Sequence, residues 1–261
     1  MNKMYAHQIG RNVQVYVDDM LVKSLQEDDH LGNLQETFDT LRTYNMKLNP
    51  CKCAFRVTAG KFLGFMVSHR GIKVNPDKVW AIMELSPPKT VKEVQSLNGK
   101  IAALNRFVSR ATDKCLPFFR NLKKSFEWTD KCQQVFENFK VYLSSPPMLS
   151  PSRQGEELYL YLAVPQAAVS AASIREKDGS QRLVSFTSRA FRGAEERYPQ
   201  MEKLAFTLVT AARKLKPYFQ AHTIVVLMNK PLRRAMSSLE AAGRKALWAV
   251  ELSEFDIQYR P

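Results

Sequence analysis

The sequence predicts a protein of mixed α+β and α/β class, and three observations carry that prediction. Short apolar runs interrupted by turn residues fill the first 75 positions, helical periodicity fills the next 75, and the remainder reads strand-strand-strand-helix-strand-helix-strand. The third pattern describes a mixed sheet with helices packed on it. At 261 residues and 45% apolar side chains the chain can bury more than one core.

The elements follow in order. Val13 to Tyr16 and Met20 to Val22 are apolar runs around Asp18-Asp19, the pattern of a tight hairpin with carboxylates at its turn. Leu31, Leu34, Phe38 and Leu41 recur at helical spacing. The chain then extends again through Cys53–Val57 and Phe62–Val67, and Gly71 marks a further hairpin closed by Ile72 to Val74. Helices are expected over Asp77–Leu85, over a segment opened by a Thr90/Glu93 capping box, over Cys115–Leu122 and over Asp130–Leu143. Pro146-Pro147 and Ser150-Pro151-Ser152 cannot continue a helix and read as a linker. Beyond it, Leu158–Val164 suits a central strand, followed by strands at Val169–Ile174 and Leu183–Thr187. A long amphipathic helix carries Met201, Leu204, Leu208, Ala212 and Leu215 on one stripe. A strand at Thr223–Met228, helices near Leu232 and Trp248, and a strand at Phe255–Tyr259 complete the pattern.

A net charge of +14 and a pI near 9.7 point to a polyanionic partner, because Lys and Arg displace counterions from phosphates. Between Asp39 and Asp77 there is no acidic residue, while Arg42, Lys47, Lys52, Arg56, Lys61, Arg70 and Lys73 all fall there. A solvated basic face is the alternative reading of the same residues. No stretch approaches the roughly 20 apolar residues that cross a bilayer, and the N-terminus lacks a secretory signal, so an intracellular protein is expected, with cytoplasm and nucleus both open. Cys51, Cys53, Cys115 and Cys132 are too sparse for a disulfide scaffold and are expected as thiols.

Tyr16-Val17-Asp18-Asp19 places adjacent carboxylates on a turn held by apolar strands. In isolation such a turn is most often a polar loop. Here it is followed by Met46-Lys47-Leu48-Asn49-Pro50-Cys51-Lys52-Cys53-Ala54-Phe55, by Lys61-Phe62-Leu63-Gly64-Phe65, by Gly71-Ile72-Lys73-Val74-Asn75-Pro76, by Phe126-Glu127-Trp128-Thr129, and by Tyr198 to Lys203 running into Ala212-Arg213-Lys214-Leu215. With these marks the chain resembles plant gypsy-class reverse transcriptases of LTR retrotransposons over essentially its whole length.

The resemblance implies three regions: a palm remnant at 1–75 with partial polymerase hairpins, a helical thumb and connection at 76–150, and an RNase H-like domain at 151–261 that lacks its last helix. It implies Asp18 as the principal metal-binding carboxylate with Asp19 beside it. Tyr16 and Lys52, or less directly Lys47, would lie near the nucleotide, and Phe62 to Phe65, with Phe62, Leu63 and Gly64 as its site residues, would form a primer grip, a hairpin that positions the growing 3′ end. Nucleotidyl transfer needs two Mg²⁺ ions about 3.5–4 Å apart, held by hard oxygen ligands. The family draws another Asp, and the fingers, from before the carboxylate pair, and only 17 residues precede Asp18. The chain is therefore expected to be inactive by itself. Lys92, Lys100, Arg106, Arg110, Lys123 and Lys124 would contact phosphates along the thumb, or merely solubilise its helices.

In the RNase H-like domain the resemblance implies carboxylates on the first strand, the long helix and the fourth strand. Ala163 and Asn229 stand at two of those places, which leaves Glu202 as the sole carboxylate. The implied partners are a primer–template duplex, an RNA–DNA hybrid and the rest of a retroelement polyprotein, with no membrane. A non-catalytic nucleic-acid-binding module and an unselected pseudogene product are the rival readings.

Overall fold

The computed structural model describes residues 1–120, 127–228, 232 and 243–261, with backbone alone at 119 and 120. The chain divides into two compact units, Met1–His69 and Arg70–Pro261.

The first unit is built on hairpins and one helix. Strands β1 (Val13–Tyr16) and β2 (Asp19–Val22) pair antiparallel, with Tyr16 opposite Asp19 and Val17-Asp18 as the turn. Helix α1 (Asp29–Thr43) follows. Its buried residues are Thr37 and Leu41, whereas Leu31 is 78% exposed. The apolar stripe therefore identified the helix but overstated its core-facing side, since burial depends on what lies opposite. Tyr5, Val13 and Leu41 form the small core, with Met20, Phe38 and Leu48 against it. Polar side chains also fasten α1 to β1. Buried Asn12 donates to Asn33 Oδ1 (2.9 Å) and Glu36 Oε2 (3.1 Å), and Arg11 pairs with Glu36.

Residues 53–57, expected to be extended, contain no strand. A 3-10 turn at Pro50–Lys52 leads into that segment, fixed by Asn49 Oδ1 accepting from Cys51 N at 3.0 Å. The apolar run Phe62–Val67 is not one strand either. It is cut into β3 (Ala59–Phe62) and β4 (Phe65–Ser68) by a two-residue turn, Leu63-Gly64. Both turn residues have positive φ, +51° and +72°, the signature of the type I′ turn whose twist suits a tight hairpin.

The second unit begins with β5 (Gly71–Val74), which is bridged to Leu149. Gly71 has φ +139°, and a Cβ there would sit 2.1 Å from the Leu149 carbonyl oxygen, so only glycine permits the approach. Helices α2 (Pro76–Met83), α3 (Val91–Ala103), α4 (Ala111–Lys114), α5 (Leu116–Arg120) and α6 (Asp130–Ser144) follow. Of the helix expected over Cys115–Leu122, the residues beyond 120 lie outside the described ones. Helix starts are capped as the sequence suggests. Thr90 accepts from Glu93 N, and Thr129 from Cys132 N. Glu93 reaches back to Lys89 N rather than to Thr90 N, so the capping box is displaced by one residue. Ile82, Leu97, Ile101, Phe107, Phe136 and Leu143 are fully or almost fully buried. Trp128 stacks on Phe118 with ring centroids 5.5 Å apart.

A five-stranded mixed sheet completes the unit in the order β10-β9-β6-β7-β8. Its strands are β6 (Leu158–Ala163), β7 (Ala168–Lys177), β8 (Ser180–Ala190), β9 (Ile224–Leu227) and β10 (Ile257–Arg260). The meander β6-β7-β8 is antiparallel, while β9 runs parallel to both β6 and β10. β6 is central in the sheet, with Leu158 and Leu160 buried on one face, yet Tyr161 on the other face is exposed, so the continuous apolar run overstates how far that face is covered. Helix α7 (Gln200–Lys214) buries Leu204, Leu208 and Ala212 against the sheet, followed by α8 (Lys216–Ala221) and α9 (Arg244–Leu252). Leu232 is fully buried in this core, but the helix expected around it lies outside the described residues.

The segment read from sequence as a linker is fastened at both faces. Leu149 N donates to Ile72 O at 2.9 Å, and Ser150 N donates to Leu183 O at 2.6 Å. Farther along β8, buried Ser188 is a polar hub. Its hydroxyl donates to Asn105 Oδ1 (2.9 Å) and accepts from Thr112 N (3.1 Å), while its carbonyl accepts from Lys214 Nζ (2.5 Å). Burial beside Arg189 pushes the Lys214 ammonium below the ordinary lysine range, desolvation being the larger cause. Helical segment and sheet thus share one unit through β8. Ser188→Ala should lower the unfolding free energy by about 1–3 kcal/mol, because it strands buried donors and acceptors. Ser180→Ala, at the exposed start of the same strand, should leave the denaturation midpoint unchanged.

Candidate functional site

The first hairpin carries its functional groups outward. Tyr16 and Val17 are 60% and 71% exposed, and Asp18 and Asp19 are exposed beside them. Asp18 occupies the turn, while Asp19 opens β2 opposite Tyr16, so the two carboxylates belong to different parts of the hairpin. Val17 adopts φ +53°. A β-branched residue in that region is strained, and such strain concentrates where a side chain must be held in one place.

The second hairpin lies beside the first, since β2 and β3 are neighbours. Phe62 and Phe65 pair across its neck, with Leu63 and Gly64 forming the tip. Lys52 and Lys47 are exposed. No hydrogen bond or ion pair joins Asp18 or Asp19 to Lys52 or to the Phe62–Gly64 tip. The unit thus places two hairpins side by side, one acidic at its tip and one apolar.

Carboxylate oxygens are the right donors for a hard divalent cation. Their number is the difficulty. No group of three or more His, Cys, Asp or Glu residues positioned for a metal ion occurs among the described residues. Asp18 and Asp19 therefore fit part of a divalent-ion site without completing one, and no chemical step is derived through a metal.

In the second unit Ala163 ends β6 and supplies no ligand. Asn229 lies outside the described residues. Glu202, in the first turn of α7, is already engaged. Its Oε2 accepts from Arg244 Nε (3.0 Å) and Nη2 (2.8 Å), and Lys245 Nζ lies 3.8 Å from Oε1. The carboxylate holds the Arg244 guanidinium above its ordinary range, and that guanidinium also covers the Tyr198 ring at 4.1 Å. Glu202 thus joins α7 to α9 as a structural anion. Sequence reasoning missed this, because the partner lies 42 positions away with no periodic relation to it.

Among the thumb-type cations, Lys92 is exposed and Lys100 half-buried, whereas Arg110 is paired with Asp113. Lys123 and Lys124 lie outside the described residues. All four cysteines are free thiols, and burial pushes Cys115 up to about 12, far from reactive. No helix is long and apolar enough to cross a membrane among the described residues.

Residues 1–67 match the family model of reverse transcriptase (RNA-dependent DNA polymerase), and residues 128–226 match that of the RNase H-like domain found in reverse transcriptase. Among curated relatives, the retrovirus-related Pol polyprotein from transposon opus of Drosophila melanogaster is 27% identical over 97% of this chain and 27% of its own length. That from transposon 297 of the same organism is 28% identical over 99% of this chain and 24% of its own length. The Tf2-3 polyprotein of Schizosaccharomyces pombe (strain 972) is 25% identical over 96% of this chain and 20% of its own length. The chain thus spans roughly a quarter or less of these relatives. Among solved structures, the foamy viral protease-reverse transcriptase dRH with double-stranded DNA covers 99% of this chain at TM-score 0.83 and 20% identity, with 47% of its own chain aligned. The same viral protein with an RNA/DNA hybrid aligns at TM-score 0.82, 20% identity, 99% of this chain and 36% of its own. At that identity the likeness establishes the fold. Two family models and these near-complete alignments agree: residues 1–67 are similar to reverse transcriptase and residues 128–226 to the RNase H-like domain found in reverse transcriptase, and the similar curated proteins are transposon polyproteins.

Proposed function

We propose that the chain is the part of a plant-type gypsy-class reverse transcriptase that holds a primer–template duplex, and that it performs neither of the family's reactions unaided. The observation that carries this reading is the pair of adjacent hairpins within residues 1–67, one presenting Asp18 and Asp19 and the other the Phe62–Gly64 tip. In this reading the first hairpin offers divalent-ion ligands, with Mg²⁺ the natural choice for hard oxygens, and the second supports the primer end. Tyr16 and Lys52 lie along the nucleotide path. Residues 1–75 act as palm, 76–150 as thumb and connection, and 151–261 as an inert RNase H-like domain that braces the helices through β8. The remaining ligands come from elsewhere in the polyprotein. A purely nucleic-acid-binding module is the second reading, favoured by the incomplete carboxylate set.

Duplex binding tests both. Phosphate contacts release counterions, so affinity for a labelled primer–template should fall linearly in log–log form with salt. With about four to six phosphates engaged, the loss between 50 and 200 mM salt should be roughly a hundredfold to two-thousandfold. Base sequence should change affinity less than threefold. Binding that ignores salt, or none at 50 mM, would show that the excess charge only solubilises the surface. Changing Lys47 and Lys52 to Gln should reduce the salt slope.

A further inference from the structure

We propose that Ser86 is a phosphorylation site for a proline-directed protein kinase, and that the phosphate loosens the hold of the helical segment on a duplex. The chain contains three Ser-Pro steps, Ser86-Pro87, Ser145-Pro146 and Ser150-Pro151. Two of them carry a base at the third position after the serine, Lys89 in Ser86-Pro87-Pro88-Lys89 and Arg153 in Ser150-Pro151-Ser152-Arg153, whereas Met148 holds that place after Ser145. Proline beside the acceptor serine suits a kinase cleft that offers no acceptor for a backbone N–H there, and the base suits an anionic recess farther along.

The structure separates the two candidates. Ser150 is half-buried and engaged: its N donates to Leu183 O at 2.6 Å, and its Oγ accepts from Arg175 Nη1 at 3.5 Å. Arg153 N is held as well, donating to Glu156 Oε1 at 2.6 Å. Ser86 is exposed, in the connection between α2 and α3, where residues 85–89 form no helix or strand. Its hydroxyl has no hydrogen bond, and the exposed Lys89 no ion pair, among the described residues.

Two prolines set the shape of this segment before any enzyme meets it. Pro87 disfavours helical backbone at Ser86, and Pro87-Pro88 favours the extended polyproline form in which a cleft can take up a peptide at small ordering cost. Ser86, Pro87 and Lys89, the positions a cleft would read, are exposed, and only Pro88 between them is buried. The ends are tied: Leu85 O accepts from Lys140 Nζ at 2.7 Å, and Lys89 N donates to Glu93 Oε2 at 2.6 Å.

ATP is the phosphoryl donor. Ser86 Oγ bonds to the γ-phosphorus as the bond to the β,γ-bridging oxygen breaks, ADP leaves, and the hydroxyl proton passes to a base of the kinase. The product puts about two negative charges close in sequence to Lys89 and Lys92. Its effect on duplex binding rests on residues 76–150 acting as the thumb. Offsetting two cations should lower the salt slope by about two and weaken binding about tenfold at 100 mM salt.

The test incubates the full chain with ATP and a cyclin-dependent kinase and reads the modified sites by peptide mass spectrometry. Ser86 should take up about one phosphate per chain and Ser150 less than about a tenth of that, and Lys89→Gln should slow the reaction at Ser86 about fivefold. A synthetic peptide of residues 146–155 should be phosphorylated on Ser150, because only the fold protects it. Duplex titrations then compare the phosphorylated chain with kinase-treated Ser86→Ala. The first should bind about tenfold more weakly than the untreated chain, and the second should match it. Ser86 left unmodified, or Ser150 modified as fast in the full chain, would overturn the site. Undiminished duplex binding by the phosphorylated chain would overturn the effect. No duplex binding by the untreated chain would sink the thumb reading and the effect with it, while the mass shift at Ser86 still decides the site.

Discussion

Supplied with an RNA–DNA hybrid and Mg²⁺ or Mn²⁺, the chain is expected to release no cleaved RNA, and supplied with a primed template and dNTPs it is expected to extend no primer. The reason is ligand number. Phosphoryl chemistry with two ions requires several anionic oxygens converging from different elements, because the ions must be held against their own hydration and mutual repulsion. Ala163 contributes none, Asn229 is by sequence a neutral amide, and Glu202 is held by Arg244. In the first unit Asp18 and Asp19 stand without a third carboxylate among the described residues. With so few anionic oxygens free to converge, binding of the ions should fail rather than a step slow, so product should remain at background in both assays. Glu202→Gln should change neither. Cleavage that disappears in Glu202→Gln, or primer extension that disappears in Asp18→Asn, would show that fewer ligands suffice and would overturn the expectation.

A large stability effect is expected at Glu156. Arg175 lies near the end of β7 with a side chain only 5% exposed, and its Nε (3.0 Å) and Nη2 (2.6 Å) both donate to Glu156 Oε2. Removing the anion leaves a guanidinium only 5% exposed with Ser150 Oγ at 3.5 Å as its remaining side-chain partner among the described residues. Breaking a buried pair from one side costs about 3–5 kcal/mol, most of it the penalty on the abandoned charge. Glu156→Ala should therefore shift the urea midpoint of the second unit down by about 1–2 M, taking a slope near 2–3 kcal/mol/M. Arg175→Met with Glu156→Leu should recover much of that loss, since two apolar groups leave no charge to desolvate. A change below about 1 kcal/mol in Glu156→Ala would mean that water reaches Arg175 and that the pair is a surface contact.

The same residues show which parts of the molecule could be read before any coordinates. Secondary structure was legible where a local pattern has a local cause. The Thr90 and Thr129 caps, the period of α7 and the unbroken apolar run of β6 all report bonds and faces within a few residues. The paired carboxylates on a hairpin were legible for that reason too. The pattern of Phe62–Val67 alone left one strand or two open, because six residues with one internal glycine satisfy both, and only the family resemblance implied the hairpin at Phe62–Phe65.

By itself the sequence determined the reverse-transcriptase and RNase H-like character, the order of the strands from Leu158 onward, the Asp18-Asp19 turn and the absence of a carboxylate at position 163, since each is a matter of residue identity or near-neighbour periodicity. Only the tertiary structure decided that Leu31 faces solvent while Arg175 does not, that Glu202 belongs to Arg244, and that Ser188 joins the helices to β8. Burial and pairing across tens of residues are set by which surfaces meet. No local period in the chain encodes that meeting.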